Sequence, residues 1–134
     1  MVALLDTNVL IYHLTKVDRE KAERSLRLLR ALEERQVELA MSELVVAETV
    51  WILESRTRLT PEQIRDALLP ITQLPSLRIP NKQLWPHVFD LYCERRIDFV
   101  DAYNAAWMER QGMRQVYSYD KDFDRIEGIE RITP

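Results

Sequence analysis

Val2-Ala3-Leu4-Leu5-Asp6-Thr7-Asn8 is the stretch from which the rest of the chain is read. Four apolar residues in an unbroken row suit a short strand covered on both faces, and so predict a central strand rather than one at an edge. Asp6-Thr7-Asn8 follows with three residues favoured at helix N-caps, predicting a helix through about Leu14. A strand that runs into a helix with no hairpin turn opens a βα unit, and the same alternation recurs downstream.

Asp18 is placed to cap a second helix to about Arg35, with Ala22, Leu26, Leu29 and Leu32 on its apolar stripe and Arg24, Arg27 and Arg30 outward. Val37 to Met41 reads as a strand, and Ser42 as the cap of a helix ending near Arg56. Thr60-Pro61-Glu62-Gln63 combines proline at the first helical position with a capping box. The proline-rich stretch from Pro70 to Pro80 reads as a connection, with a short strand at Leu77 to Ile79. A helix from about Asn81 to Arg95 must place Pro86 in its first turn or kink there. Asp98 caps the next helix, Gly112 stops it, and Gln115 to Ser118 is a strand. Lys121 to Ile126 is a helical turn or two, and Glu130 to Thr133 a final edge strand. Strands alternating with helices across long connections predict an α/β fold with a mainly parallel sheet covered on both faces. At 134 residues, a single domain over residues 1–134 is expected.

The acids stand out against this frame. Asp6 and Asp120 follow strand ends, Glu48 and Asp101 lie early in helices, and ligands of parallel sheets bind beyond the carboxyl ends of strands. Glu48 is flanked at helical spacing by Leu44, Val45, Trp51 and Ile52, which predicts a carboxylate on a buried stripe that needs compensation. Asp6 also suits a helix cap. Asp98 and Asp101 are three apart; Asp101 takes the metal role and Asp98 the cap, an assignment that reads equally with the two exchanged. Asp120, Asp122 and Asp124 alternate, and Asp120 is nearest its strand. Ser118 supplies a hydroxyl at the same lip, and Asn8 is placed to hold Asp6.

Two unit charges about 4 Å apart at an effective dielectric near 20 repel by roughly 4 kcal/mol, so acids gathered at one lip call for a cation. All-oxygen donors select Mg²⁺ or Mn²⁺, which activates water and stabilises phosphoryl oxygens. Phosphodiester hydrolysis is the reaction this set suits.

Other chemistries find little support. Gly112 and Gly128 are too few and too scattered for a phosphate-cradling loop. His13 and His87 begin neither a metal-ligand spacing nor a nucleophile triad, and Cys93 is alone, expected as a small buried hydrophobe. The formal net charge of -3 carries no basic footprint for nucleic acid, although a cluster of acids inflates the negative count. No apolar run approaches about 18 residues and none forms a signal-peptide core, so the expected residence is cytoplasmic with no membrane partner. Trp51, Trp85 and Trp107 are expected in core or subunit contacts, and Arg56, Arg58, Arg95 and Arg96 offer charge to a substrate.

Four segments together resemble the PIN-domain ribonucleases, and in length the VapC-type toxins of toxin-antitoxin pairs. They are Leu4-Leu5-Asp6-Thr7-Asn8-Val9-Leu10, Ser42-Glu43-Leu44-Val45-Val46-Ala47-Glu48, Asp98-Phe99-Val100-Asp101-Ala102 and Tyr117-Ser118-Tyr119-Asp120-Lys121-Asp122-Phe123. They occur in the family's order from near the start of the chain to near its end. The resemblance implies a three-layer α/β/α sandwich, a site of Asp6, Glu48, Asp101 and a fourth acid at Asp120, dependence on Mg²⁺ or Mn²⁺, and RNA cleavage. It also implies a homodimer and a small antitoxin partner. The fourth acid varies in the family, which leaves Asp122 beside Asp120, and Ser118 stands where a threonine is common. Two other readings compete: a catalytically inactive PIN-like scaffold that binds RNA or protein, and an aspartyl-phosphate phosphohydrolase of the haloacid dehalogenase type. The latter wants an acid where this chain has Asn8.

Overall fold

A computed structural model describes residues 2–134, which divide into two compact units: the first ends at Lys82 and the second spans Gln83–Pro134. The first contains β1 (Ala3–Leu4), α1 (Thr7–Thr15), α2 (Arg19–Glu33), β2 (Leu39–Ala40), α3 (Glu43–Arg56), α4 (Pro61–Thr72) and β3 (Leu77–Arg78). The strands pair in the order β1-β2-β3, all parallel, with Ala3 opposite Leu39 and Leu39 opposite Leu77. Parallel neighbours require long crossovers, and the helix pairs α1-α2 and α3-α4 supply them.

β1 therefore ends its three-stranded sheet and is not inside it, contrary to the expectation of a central strand. Both residues of β1 are exposed and only Leu5, just past its end, is buried, so the unbroken apolar string does not mark a strand covered on both faces. Apolar content reports on neither a strand's flanks nor both of its faces.

The helix signals translate into hydrogen bonds. The Asp18 carboxylate accepts from the Lys21 amide at 3.0 Å, and α2 buries Ala22, Leu29 and Leu32 with its arginines outward. Thr60 Oγ1 accepts from the Gln63 amide at 3.2 Å while Gln63 Oε1 accepts from the Thr60 amide at 2.9 Å, completing the capping box. Pro70 departs from the connection expected there, because it lies inside α4. It falls in the last turn, where the missing N–H forfeits a single bond before the helix closes through the Gln73 amide to the Pro70 carbonyl at 3.3 Å.

The second unit contains α5 (Trp85–Glu94), α6 (Phe99–Arg110), β4 (Gln115–Tyr117), a 3₁₀ turn at Lys121–Arg125 and β5 (Glu130–Ile132). Pro86 sits in the first turn of α5, where its lack of an N–H costs no helical bond. Trp85, Phe89, Tyr92 and Phe99 form an aromatic core; Phe99 stacks on Trp85 with centroids 6.4 Å apart and meets Phe89 at 5.3 Å. That packing seats the start of α6. Its end is a Schellman motif: Met113 donates to the Met108 carbonyl at 2.9 Å and Gly112 to Glu109 at 3.1 Å, with Gly112 at φ 73°, where other residues are strained. β4 and β5 pair in parallel, and Phe123 is buried beneath the 3₁₀ turn. Cys93 is buried in α5, as its bland reading requires.

Candidate metal centre

Three carboxylates of the second unit converge. One oxygen from each of Asp101, Asp120 and Asp122 lies within 4.8 Å of the others. Asp101 is held in the first turn of α6, Asp120 at the N-cap of the 3₁₀ turn and Asp122 within that turn. Asp98, one turn earlier on α6, accepts from the Val100 amide at 3.2 Å and so caps the helix.

A relay of hydrogen bonds, two local and one from α6, shapes this lip. Ser118 Oγ accepts from the Asp120 amide at 2.9 Å, Asp120 Oδ1 from the Asp122 amide at 2.9 Å, and Asp122 Oδ2 from the Asp98 amide at 3.2 Å. The Ser118 hydroxyl is thus engaged by backbone. Each acceptor orients the next carboxylate, so the sequence Ser-x-Asp-x-Asp folds itself around Phe123 with the acids facing α6.

Crowding leaves a proton in the cluster. Partial burial pushes the Asp101 carboxyl up to about 7, assisted by its bond to Asp120 and by the charges of Asp120, Asp98 and Asp122. Asp120 moves the opposite way, held below the usual carboxylate range first by the Asp122 amide and then by the bond from Asp101. The two carboxyls, joined by a hydrogen bond, titrate as a pair. A divalent cation fits the donor set: the three carboxylate oxygens lie within 4.8 Å of one another, and octahedral Mg²⁺ with oxygens at about 2.1 Å spans oxygen–oxygen separations of about 3 to 4.2 Å. It would also replace the proton that now relieves the repulsion.

In the first unit Asp6 is exposed at the N-cap position of α1 and makes no side-chain capping bond. Its carboxylate therefore does not act as the cap that the sequence suggested. Asn8 lies exposed in the first turn of that helix. Glu48 corrects the sequence reading outright, because it is exposed and not on a buried stripe. α3 buries Val45, Val46, Thr49, Val50 and Leu53, and turns Leu44 (79 % exposed) and Trp51 (64 % exposed) outward on either side of Glu48. The apolar residues surround this helix, so spacing alone selected the wrong face.

Arg131 was missed altogether. On β5, as its side chain turns inward, its guanidinium meets Asp124 through Nε at 3.0 Å and Nη2 at 3.1 Å, and Nη1 reaches the Ser118 carbonyl at 3.2 Å. An arginine in a short terminal strand carries no signal of such contacts until the strand pairing is known.

The chain was compared with known proteins. The model of the PIN domain family matches residues 3–129. No curated protein matches the chain.

Proposed function

The chain belongs to the PIN domain family, and from that membership we propose that it is a Mg²⁺- or Mn²⁺-dependent endoribonuclease, the toxin of a VapC-type toxin-antitoxin pair. PIN domains are in general nucleases that bind RNA and use divalent metal ions. Membership also carries the three-layer α/β/α class, to which the six α-helices and the parallel strands among the described residues conform. In this proposal residues 1–134 act as one domain.

The observation that carries the reading is the convergence of Asp101, Asp120 and Asp122 on one ion-sized space. Asp120 and Asp122 both reach it, so both serve as donors beside Asp101. Asp6 and Glu48, each exposed, are the further acids of the reaction, with Asn8 and Ser118 in support and Asp98 capping the helix. When bound, the ion supplies charge compensation at phosphoryl oxygens and lowers the pKa of the attacking water. The chain's own part is to hold oxygens in place and to release the Asp101 proton when the ion loads. Arg95 and Arg96, both exposed, offer positive charge to the RNA backbone.

The partners follow from the exposed face of α3 on which Glu48 stands. Leu44 and Trp51 give α3 an exposed apolar face, which supports a homodimer and a small antitoxin as its covers. Among the described residues no helix is long and apolar enough to cross a membrane. A lone buried cysteine suits a reducing cytoplasm.

Purified protein should cleave RNA with Mn²⁺ and not with chelator. Asp6→Asn, Glu48→Gln and Asp101→Asn should each slow cleavage at least about a hundredfold, equivalent to about 2.7 kcal/mol of transition-state stabilisation. Parent protein that neither cleaves nor gains thermal stability from Mn²⁺ would favour the inactive scaffold.

A further inference from the structure

We propose that Arg131 is a positioning residue, which sets Asp120 and Asp122 for a divalent ion by clamping both ends of the segment that carries them. The proposal rests on the reading of Asp101, Asp120 and Asp122 as ion donors. One edge of the guanidinium grips the Asp124 carboxylate in a two-point contact at 3.0 and 3.1 Å, downstream of the two acids. The remaining nitrogen donates to the Ser118 carbonyl at 3.2 Å, upstream of them, and to Thr133 Oγ1 at 3.1 Å.

One planar group therefore joins the start and the end of a loop whose middle holds two carboxylates. The group is itself fixed: Arg131 pairs with Val116 across the β4-β5 ladder, and its side chain is 16 % exposed. Ser118 extends that ladder, donating from its amide to the Ile132 carbonyl at 3.1 Å. From this anchored Ser118 the hydroxyl receives the Asp120 amide, and the Asp120 carboxylate receives the Asp122 amide. The clamp thus holds the anchor from which those two bonds run, while the Asp98 amide holds Asp122 from the side of α6. Without it, the segment would spread its carboxylates over several arrangements, and a cation would bear the cost of ordering them. Lysine offers a point charge on a flexible stem and has no fork to span Asp124 and Ser118 together.

Mn²⁺ is titrated calorimetrically into the full chain, Arg131→Lys and Arg131→Met, with amide nitrogen relaxation at Asp120 and Asp122 and melting of the metal-free proteins measured in parallel. Positioning requires both variants to bind Mn²⁺ about tenfold more weakly, the usual scale for loss of a group that orients a ligand. Mobility at the two amides should rise in both, with little change in the melting of Arg131→Lys. If Arg131 acted only as a charge, lysine would leave affinity unchanged and methionine would tighten it, since a cation beside the acids opposes a second cation. Either of those results overturns the proposal. Should methionine prevent folding, the lysine variant decides alone. A parent chain that binds no Mn²⁺ refutes the ion reading itself, a result separate from one in which the parent binds and the variants bind equally well.

Discussion

A carboxylic acid that keeps its proton near neutral pH is the most consequential single group in the chain. With its carboxyl pushed up to about 7, Asp101 in the folded, metal-free protein holds a proton that the unfolded chain has released above the ordinary carboxylate range. Stability without metal therefore falls as pH rises from about 4 toward 7, and levels off beyond. Urea denaturation across that window should show the decline in the parent and a flatter profile in Asp101→Asn; equal slopes would place the proton elsewhere. Asp101 and Asp120 stand out in the sequence because each ends an apolar run, while Asp122 follows Lys121 and enters only as the alternative to Asp120. Which of Asp120 and Asp122 belongs was not legible, since the turn that brings both to Asp101 depends on hydrogen bonds between near neighbours. Glu48 was misread for a different reason: a helix with apolar residues on nearly every side offers no stripe to choose between.

At the level of elements, local rules predicted what local bonds enforce. Asp18, Thr60 and Asp98 all accept the amide hydrogen bonds that their positions foretold. Thr60→Ala should cost about 1 kcal/mol in equilibrium unfolding, the usual loss of such a cap, with Gln63→Ala costing less. A measured change near zero would mean that α4 is held wholly by the packing of Ile64 and Leu68. Strand position was harder to read than helix ends. β1 pairs through two residues, and an apolar string of that length is silent about its neighbours. Pro70 taught the converse lesson, since a residue that breaks helix interiors is harmless within the final turn.

For the molecule as a whole, the alternation of strand and helix was enough to assign the α/β class before any coordinate, because parallel pairing admits few connections. The pairing of Arg131 with Asp124 and Ser118 lay beyond that reading, as it needs the register of two strands made from residues far down the chain. The exposed face of α3 was equally hidden. It brings an unplanned benefit through its indole. Trp85 is sealed in the aromatic core and Trp107 is 37 % exposed, while Trp51 at 64 % stands most open, so the protein contains its own optical gauge of coverage. Acrylamide should quench Trp51 in the isolated chain, and a protein laid over α3 should shield it and shift emission to the blue. Trp51→Phe should abolish that change, whereas a shift that survives it would locate the covered surface on another part of the chain.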